Sequence, residues 1–183
     1  MFIETETTPN PATLKFLPGR AVMEQGTANF TDAEAATRSP LAVRLFDLGG
    51  VTGVFYGADF VTVSKDDEAS WQQLKPAVLG AIMEHFTSGA ALLTKSDAPV
   101  PEGDTEDEGE VVTQIKELLE TRVRPAVAQD GGDIIFESYA DGIVYLQMHG
   151  SCSGCPSSTA TLKAGIENML KHYIPEVVEV RAV

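Results

Sequence analysis

Between Ser96 and Gly109 the chain reads Ser-Asp-Ala-Pro-Val-Pro-Glu-Gly-Asp-Thr-Glu-Asp-Glu-Gly. This stretch has no aromatic residue, no basic residue and one aliphatic larger than alanine. It also carries six carboxylates of a formal net charge of -14. So little apolar surface cannot offset the entropy of ordering it. Residues 96–109 are therefore expected to be an acidic flexible linker, with a coil reach of roughly 20 Å. The linker divides the chain into residues 1–95 and 110–183, each of small-domain size. The acidic balance argues against a nucleic acid or an anionic membrane as partner. No apolar run reaches membrane-spanning length. The start, Met1-Phe2-Ile3-Glu4-Thr5-Glu6, has neither the cationic nor the apolar region of a leader peptide.

Residues 1–95 alternate short strand-like runs with turns. Ile3 lies in one run, and Leu14 to Leu17 form another between Pro9-Asn10-Pro11 and Pro18-Gly19. Thr31-Asp32-Ala33-Glu34 reads as a capping box. Ser39-Pro40 reads as an N-cap with proline at the first helical position, and Leu41, Leu45 and Leu48 then line one side of a helix. Val51 to Ser64 has the pattern of a hairpin turning at Gly57-Ala58. Trp71, Leu74, Val78, Ile82 and Phe86 recur at helical spacing, with Pro76 marking either a kink or the true start. Trp71 and the pair Phe55 and Phe60 read as core rather than as a binding surface. His85 reads as a partly exposed residue whose charge suits a helix C-terminus rather than as a ligand or base.

Residues 110–183 predict helix, hairpin, loop, helix and strand. Val112, Ile115, Leu118, Leu119 and Val123 put an apolar stripe on the first helix, which Pro125 kinks or restarts. Asp130-Gly131-Gly132-Asp133 reads as the stop of that helix rather than as a phosphate-binding nest. The strands Ile134–Tyr139 and Ile143–Met148 flank Asp141-Gly142, a strong hairpin turn. The second helix has Leu162, Ile166, Met169 and Tyr173 on one face, with Ser157 or Ser158 as its cap. Pro175 ends it, and Val177 to Val183 alternates as a last strand. The fold class is α+β: two small α+β domains joined by an acidic linker.

The chain's two cysteines lie in Gly150-Ser151-Cys152-Ser153-Gly154-Cys155-Pro156-Ser157-Ser158, spaced C-x-x-C between a strand and a helix. A helix N-terminus favours anionic sulfur and so should lower the thiol pKa values. Glycines at positions 150 and 154 allow a tight turn, and Pro156 opens a helix without wasting a donor. Two thiolates are half of a four-thiolate site, so Cys152 and Cys155 would complete one only with a second copy of the chain. Four readings stay open on spacing alone: a bridging iron–sulfur cluster, a shared zinc site, a dithiol redox centre, and inert thiols. The order of elements before the motif includes no parallel βαβ unit, which weighs against a thioredoxin-like site. His149 beside the loop reads as accidental, and His172 as a favourable charge late in its helix.

These residues resemble the NifU/Nfu family. The Gly150-to-Ser158 loop, Leu162-Lys163-Ala164-Gly165-Ile166-Glu167, Arg122-Val123-Arg124-Pro125 and Asp130-Gly131-Gly132-Asp133 are similar to its carboxy-terminal domain. Thr8-Pro9-Asn10-Pro11 with Leu14-Lys15-Phe16, Ser39-Pro40-Leu41-Ala42, and Trp71 with Leu74-Lys75-Pro76 resemble its amino-terminal domain. The resemblance implies an iron–sulfur cluster carrier or scaffold, not an enzyme. Cys152 and Cys155 would ligate a [4Fe-4S] cluster, or a [2Fe-2S] form, between the protomers of a homodimer. An upstream assembly scaffold would load it, and apo-proteins would receive it. The amino-terminal domain would serve target recognition and supplies no metal ligand. The start at Met1 is expected of a bacterial cytoplasmic form or a mature protein of the mitochondrial matrix.

Overall fold

The computed structural model describes residues 1–94, 109–153 and 156–183, the last without the side chains of residues 156–158. The expected linker, Gly109 apart, lies outside the described residues, as do Gly154 and Cys155. The chain divides into two units, residues 1–101 and 102–183. Each combines helices with a sheet, as the α+β patterning predicts.

The first unit is built on a five-stranded sheet of order β1-β2-β5-β4-β3, from β1 (Glu4–Thr7), β2 (Thr13–Leu17), β3 (Ala28–Phe30), β4 (Val51–Tyr56) and β5 (Val61–Lys65). All neighbours are antiparallel. Phe16, Phe30, Val54, Tyr56, Val61 and Val63 join the buried side chains of α2 (Pro40–Asp47) and α3 (Trp71–Ser88) in one core. Ser39 caps α2 as its sequence predicts: its Oγ accepts from the Ala42 N–H at 3.2 Å and bonds the Tyr56 hydroxyl at 2.7 Å. One buried hydroxyl thus satisfies both a helix end and a core phenol, whose ionisation burial disfavours.

Some expectations shift by a residue. The cap of α1 (Ala33–Ala36) is Asp32, which accepts from the Ala35 N–H at 2.7 Å, and not Thr31. A carboxylate is the stronger acceptor at the positive end of a helix. Leu48 caps the C-terminus of α2 and is exposed rather than core-facing. Helix α3 begins at Trp71, with Ser70 as its N-cap, and carries Pro76 in its interior. Ile3 is buried just ahead of β1 and not within it.

His85 is corrected outright. It is 3% exposed, and its Nε2 has no hydrogen-bond partner among the described residues. Burial, with the Arg44 guanidinium adding, lowers its pKa, so the residue is a neutral core group and not a dipole-stabilised cation. The spacing Leu74, Val78, Ile82 continues into His85, so the buried face of α3 runs on to its last turn.

The second unit starts with α4 (Glu110–Leu118), a π-helical turn over Leu119–Val123, and α5 (Arg124–Gln129). Ile115, Leu119, Val123 and Val127 are its buried residues, each four apart. In a regular α-helix such a stripe drifts about 40° per step, and the wider π turn takes up part of that drift. It also lies directly upstream of Pro125, which has no N–H to give to the turn before it. Val112 and Leu118, expected in the stripe, are half-buried.

Strand β6 (Gly132–Ala140) pairs antiparallel with β7 (Ile143–Gly150), and β8 (Glu179–Ala182) pairs with β7. Asp141 and Gly142, both at positive φ (51° and 79°), make the tight connection their sequence predicts. Helix α6 (Pro156–Tyr173) begins ahead of Ser157 and Ser158, so both lie inside it. Its buried face is Ile166 and Leu170, followed by Ile174; Tyr173, expected in the core, is 48% exposed. The closing strand runs parallel to β7. A parallel β7–α6–β8 unit was not expected from the sequence, because a four-residue edge strand leaves no signal of its direction.

Stability of the first unit should depend on pH through His85. The unfolded imidazole titrates near its ordinary value of about 6.5, while the folded one resists protonation. Protons therefore bind the unfolded chain first, so stability is full above that value and falls as the pH drops below it. Urea unfolding at pH 7, 6 and 5 should show this acid slope, and His85→Leu should flatten it.

Candidate functional site

Where β7 ends at Gly150 (φ 64°), the chain leaves the sheet through a turn that holds Ser151, Cys152 and Ser153. Hydrogen bonds tie this turn to the residues just ahead of β6 and to itself, the Ser153 N–H reaching the Gly150 carbonyl at 3.2 Å among them. The Ser151 Oγ donates to the Asp130 carbonyl, the Ser151 N–H to the Gly131 carbonyl at 3.3 Å, and the Ser153 Oγ to the Gly150 carbonyl at 2.9 Å. From the other side, the Thr159 Oγ1 in α6 donates to the Cys152 carbonyl at 3.0 Å. The turn is therefore pinned between the helix–strand junction and the first turns of α6. Cys155, the second expected ligand, lies outside the described residues.

Cys152 is 5% exposed and belongs to the core of the second unit, together with Met148, Ile166 and Leu170. Its neighbour in space is Gly132. A Cβ at Gly132 would stand 2.5 Å from the Cys152 Sγ, 2.8 Å from the His149 carbonyl oxygen and 3.0 Å from the Cys152 nitrogen. Real side chains do not pack so tightly, so the approach of the cysteine and of the His149 carbonyl together require glycine at position 132. Gly132 also faces Gly150 across the hairpin.

The thiol's electrostatics correct the sequence-based expectation. Burial pushes the Cys152 thiol up to about 11; the hydrogen bond with Ser151 opposes this, and the charges of Asp130 and Asp133 reinforce it. The helix N-terminus does not lower it, because the thiol turns inward and a dipole's influence fades within one turn. In this conformation Cys152 is a protonated thiol. Metal binding then requires it to lose that proton.

A second group organises the same junction. Asp133, 4% exposed, receives two hydrogen bonds from Arg124: Nε to Oδ1 at 2.9 Å and a terminal nitrogen to Oδ2 at 3.0 Å. Its Oδ1 also accepts from the Ile134 N–H at 2.8 Å. Arg124 reaches Glu120 as well, one turn earlier. The pair ties the first residue of α5 to the start of β6, and the two carboxylates keep the guanidinium firmly charged. Reading Asp130-Gly131-Gly132-Asp133 as a helix stop is right for Gly131 (φ 82°) but misses what Gly132 and Asp133 do. Nothing local marks Asp133 as a partner for an arginine nine residues back.

His149 sits opposite Asp133 in the hairpin register, and burial lowers its pKa although Asp133 pulls the other way. His172 is exposed late in α6, its ring edge-on to Tyr173 at 5.0 Å. Among the described residues no three His, Cys, Asp or Glu side chains come together as a metal site.

Removing Arg124 while leaving Asp133 should expose how much the junction depends on the pair. Arg124→Met strands a buried carboxylate and should cost about 3 kcal/mol in urea unfolding. Arg124→Met with Asp133→Asn should cost less than the single change. Equal losses would show that the pair is not coupled.

Comparison with known proteins follows the same division of the chain. The family model described as scaffold protein Nfu/NifU N terminal matches residues 3–89, and that described as NifU-like domain matches residues 115–181. A human protein named NFU1 iron-sulfur cluster scaffold homolog, mitochondrial, is 53% identical over 178 residues, covering 97% of this chain and 70% of that protein. An Arabidopsis thaliana protein named NifU-like protein 4, mitochondrial, is 52% identical over 181 residues, covering 97% of this chain and 64% of that protein. The chain thus spans about two thirds of the length of these relatives. With both domain types present in order and more than half of the aligned residues identical, the chain belongs to the Nfu/NifU family of scaffold proteins.

Proposed function

We propose that this chain is an iron–sulfur cluster scaffold that receives or assembles a [4Fe-4S] cluster through Cys152 and Cys155 and passes it to apo-proteins. One observation carries the reading. The chain has two cysteines, spaced C-x-x-C, within a sequence 53% identical to a human protein named as an iron–sulfur cluster scaffold. Thiolates are the donors that suit such a cargo. Two per chain leave a four-iron cluster half ligated, so two protomers supply the set and the cluster forms the homodimer. A [2Fe-2S] cargo would need the same four thiolates.

The chemistry asked of the protein is modest. Each thiol gives its proton to solvent as it takes iron, and cluster leaves when incoming thiolates of a target replace Cys152 and Cys155. An upstream assembly scaffold is the expected source. The first unit, which brings no cysteine, would recruit the target. The relatives carry mitochondrial names, and we read the working compartment as the mitochondrial matrix or a bacterial cytoplasm. No described helix is long and apolar enough to cross a membrane.

A second reading has one observation in its favour. The parallel β7–α6–β8 unit puts the C-x-x-C between a strand end and a helix start, as a dithiol redox centre requires. A zinc ion shared by two chains would use the same four sulfurs.

Anaerobic reconstitution with iron and sulfide, followed by native mass measurement and Mössbauer spectroscopy, separates these readings. About four iron and four sulfide per two chains are expected, with the metal-free protein monomeric. Cys152→Ala and Cys155→Ala should each abolish cluster binding. A monomer that keeps a complete cluster would sink the shared site, and zinc without iron would favour the zinc reading.

The metal-free chain should also be tested for reduction of insulin disulfides. Negligible turnover is expected, because a thiol held at a pKa of about 11 supplies little thiolate near neutral pH. Thioredoxin-like rates would overturn the scaffold reading in favour of the dithiol one.

A further inference from the structure

The close approach at Gly132 reaches beyond fold stability. A ligand cysteine ought to face outward, toward a second protomer and an incoming cargo. Here the Cys152 side chain is buried in the core cluster of its own unit. The space its sulfur enters is the space a β-carbon at position 132 would fill, 2.5 Å away. The turn that carries it is held by Ser151 on the Asp130 and Gly131 carbonyls and by Thr159 on the Cys152 carbonyl. Those three polar contacts hold the turn, and one missing side chain leaves room for the sulfur to point inward.

We infer that Gly132 is a positioning residue, the seat in which the unloaded chain stows the Cys152 thiol, and that cargo binding requires the thiol to be withdrawn from it. The inference rests on the ligand role proposed above for Cys152. Stowing keeps one of the two proposed ligands away from oxidants until loading. Withdrawal takes the sulfur out of the core of its own unit, by rotation about χ1 or by a local opening of residues 150–153. Among the described residues, Gly132 is the glycine whose absent Cβ is replaced by a cysteine sulfur.

Alkylation of the full, metal-free, reduced chain by iodoacetamide reports the seat directly, with the modification at Cys152 quantified by peptide mass spectrometry. In the folded wild type, Cys152 should react about 100-fold more slowly than in the same chain in urea, as expected of a group that reacts through local opening. Gly132→Ala, with its circular dichroism unchanged, should raise the Cys152 rate at least about tenfold. Should Gly132→Ala fail to fold, Ser151→Ala takes its place, since it frees the turn without adding volume. A folded wild type that reacts at the urea rate overturns the stowed state. Protection that survives in the folded Gly132 variant, or in Ser151→Ala where that variant does not fold, overturns the role of the seat. The readout needs no cluster, so it fails separately from the ligand role: a Cys152→Ala protein that still binds iron would refute the latter and leave the protection result standing.

Discussion

The ion pair between Arg124 and Asp133 sets the point at which a helix becomes a strand, and the geometry of the cysteine turn descends from it. Asp133 accepts from two of the three guanidinium nitrogens and from a backbone N–H, so its position along the chain has little freedom. With Asp133 placed, Gly132 falls opposite Gly150 and Asp133 opposite His149. A slip of one residue would put Asp133 into the apolar face and remove glycine from beneath Cys152, reversing every side chain of β6. The pairing is buried and charged, which makes it a costly way to gain stability but a strong way to specify register.

Much of this architecture can be read from local chemistry. Ser39-Pro40 and Asp141-Gly142 carry their own backbone preferences, and both do in the fold what their residue types dictate. The readings that fail all depend on partners distant in the chain. His85 looks like a polar helix residue until tertiary packing, with Arg44 of α2 nearby, removes it from water. Tyr173 has the right spacing for the core, yet Leu170 and Ile174 take the buried face because α6 meets the sheet along a different stripe. The direction of β8 is decided by α6 and its crossing, not by the four residues of the strand.

The cysteine motif shows the same limit at the site itself. C-x-x-C ahead of a helix announces soft-metal or redox chemistry, and the family membership of the chain agrees with the former. The state of the thiol is set elsewhere, by burial against a glycine twenty residues upstream, which two aspartates of the helix–strand junction reinforce. Gly132 could be noticed in the sequence as the second of a glycine pair where one would stop the helix. That the spare glycine receives a sulfur depends on the hairpin register, which no local pattern encodes.

The parallel strand also has a bearing on synthesis. β8 is made after α6, and the core that buries Cys152 includes Val177 and Val180, which follow that helix. Glu167 of α6 holds the Val180 N–H at 3.1 Å, and the Val183 N–H reaches Leu146 at 2.9 Å, so the unit closes with its last residues. Parallel pairing across an intervening helix is a non-local contact and forms late relative to the hairpin. Until it forms, the nascent chain carries both sulfurs outside any finished core, at the stage when incomplete domains are most open to wrong partners. Protection of the Cys152 thiol is thus acquired only once β8 has been made and paired, and not when the cysteine itself is added to the chain.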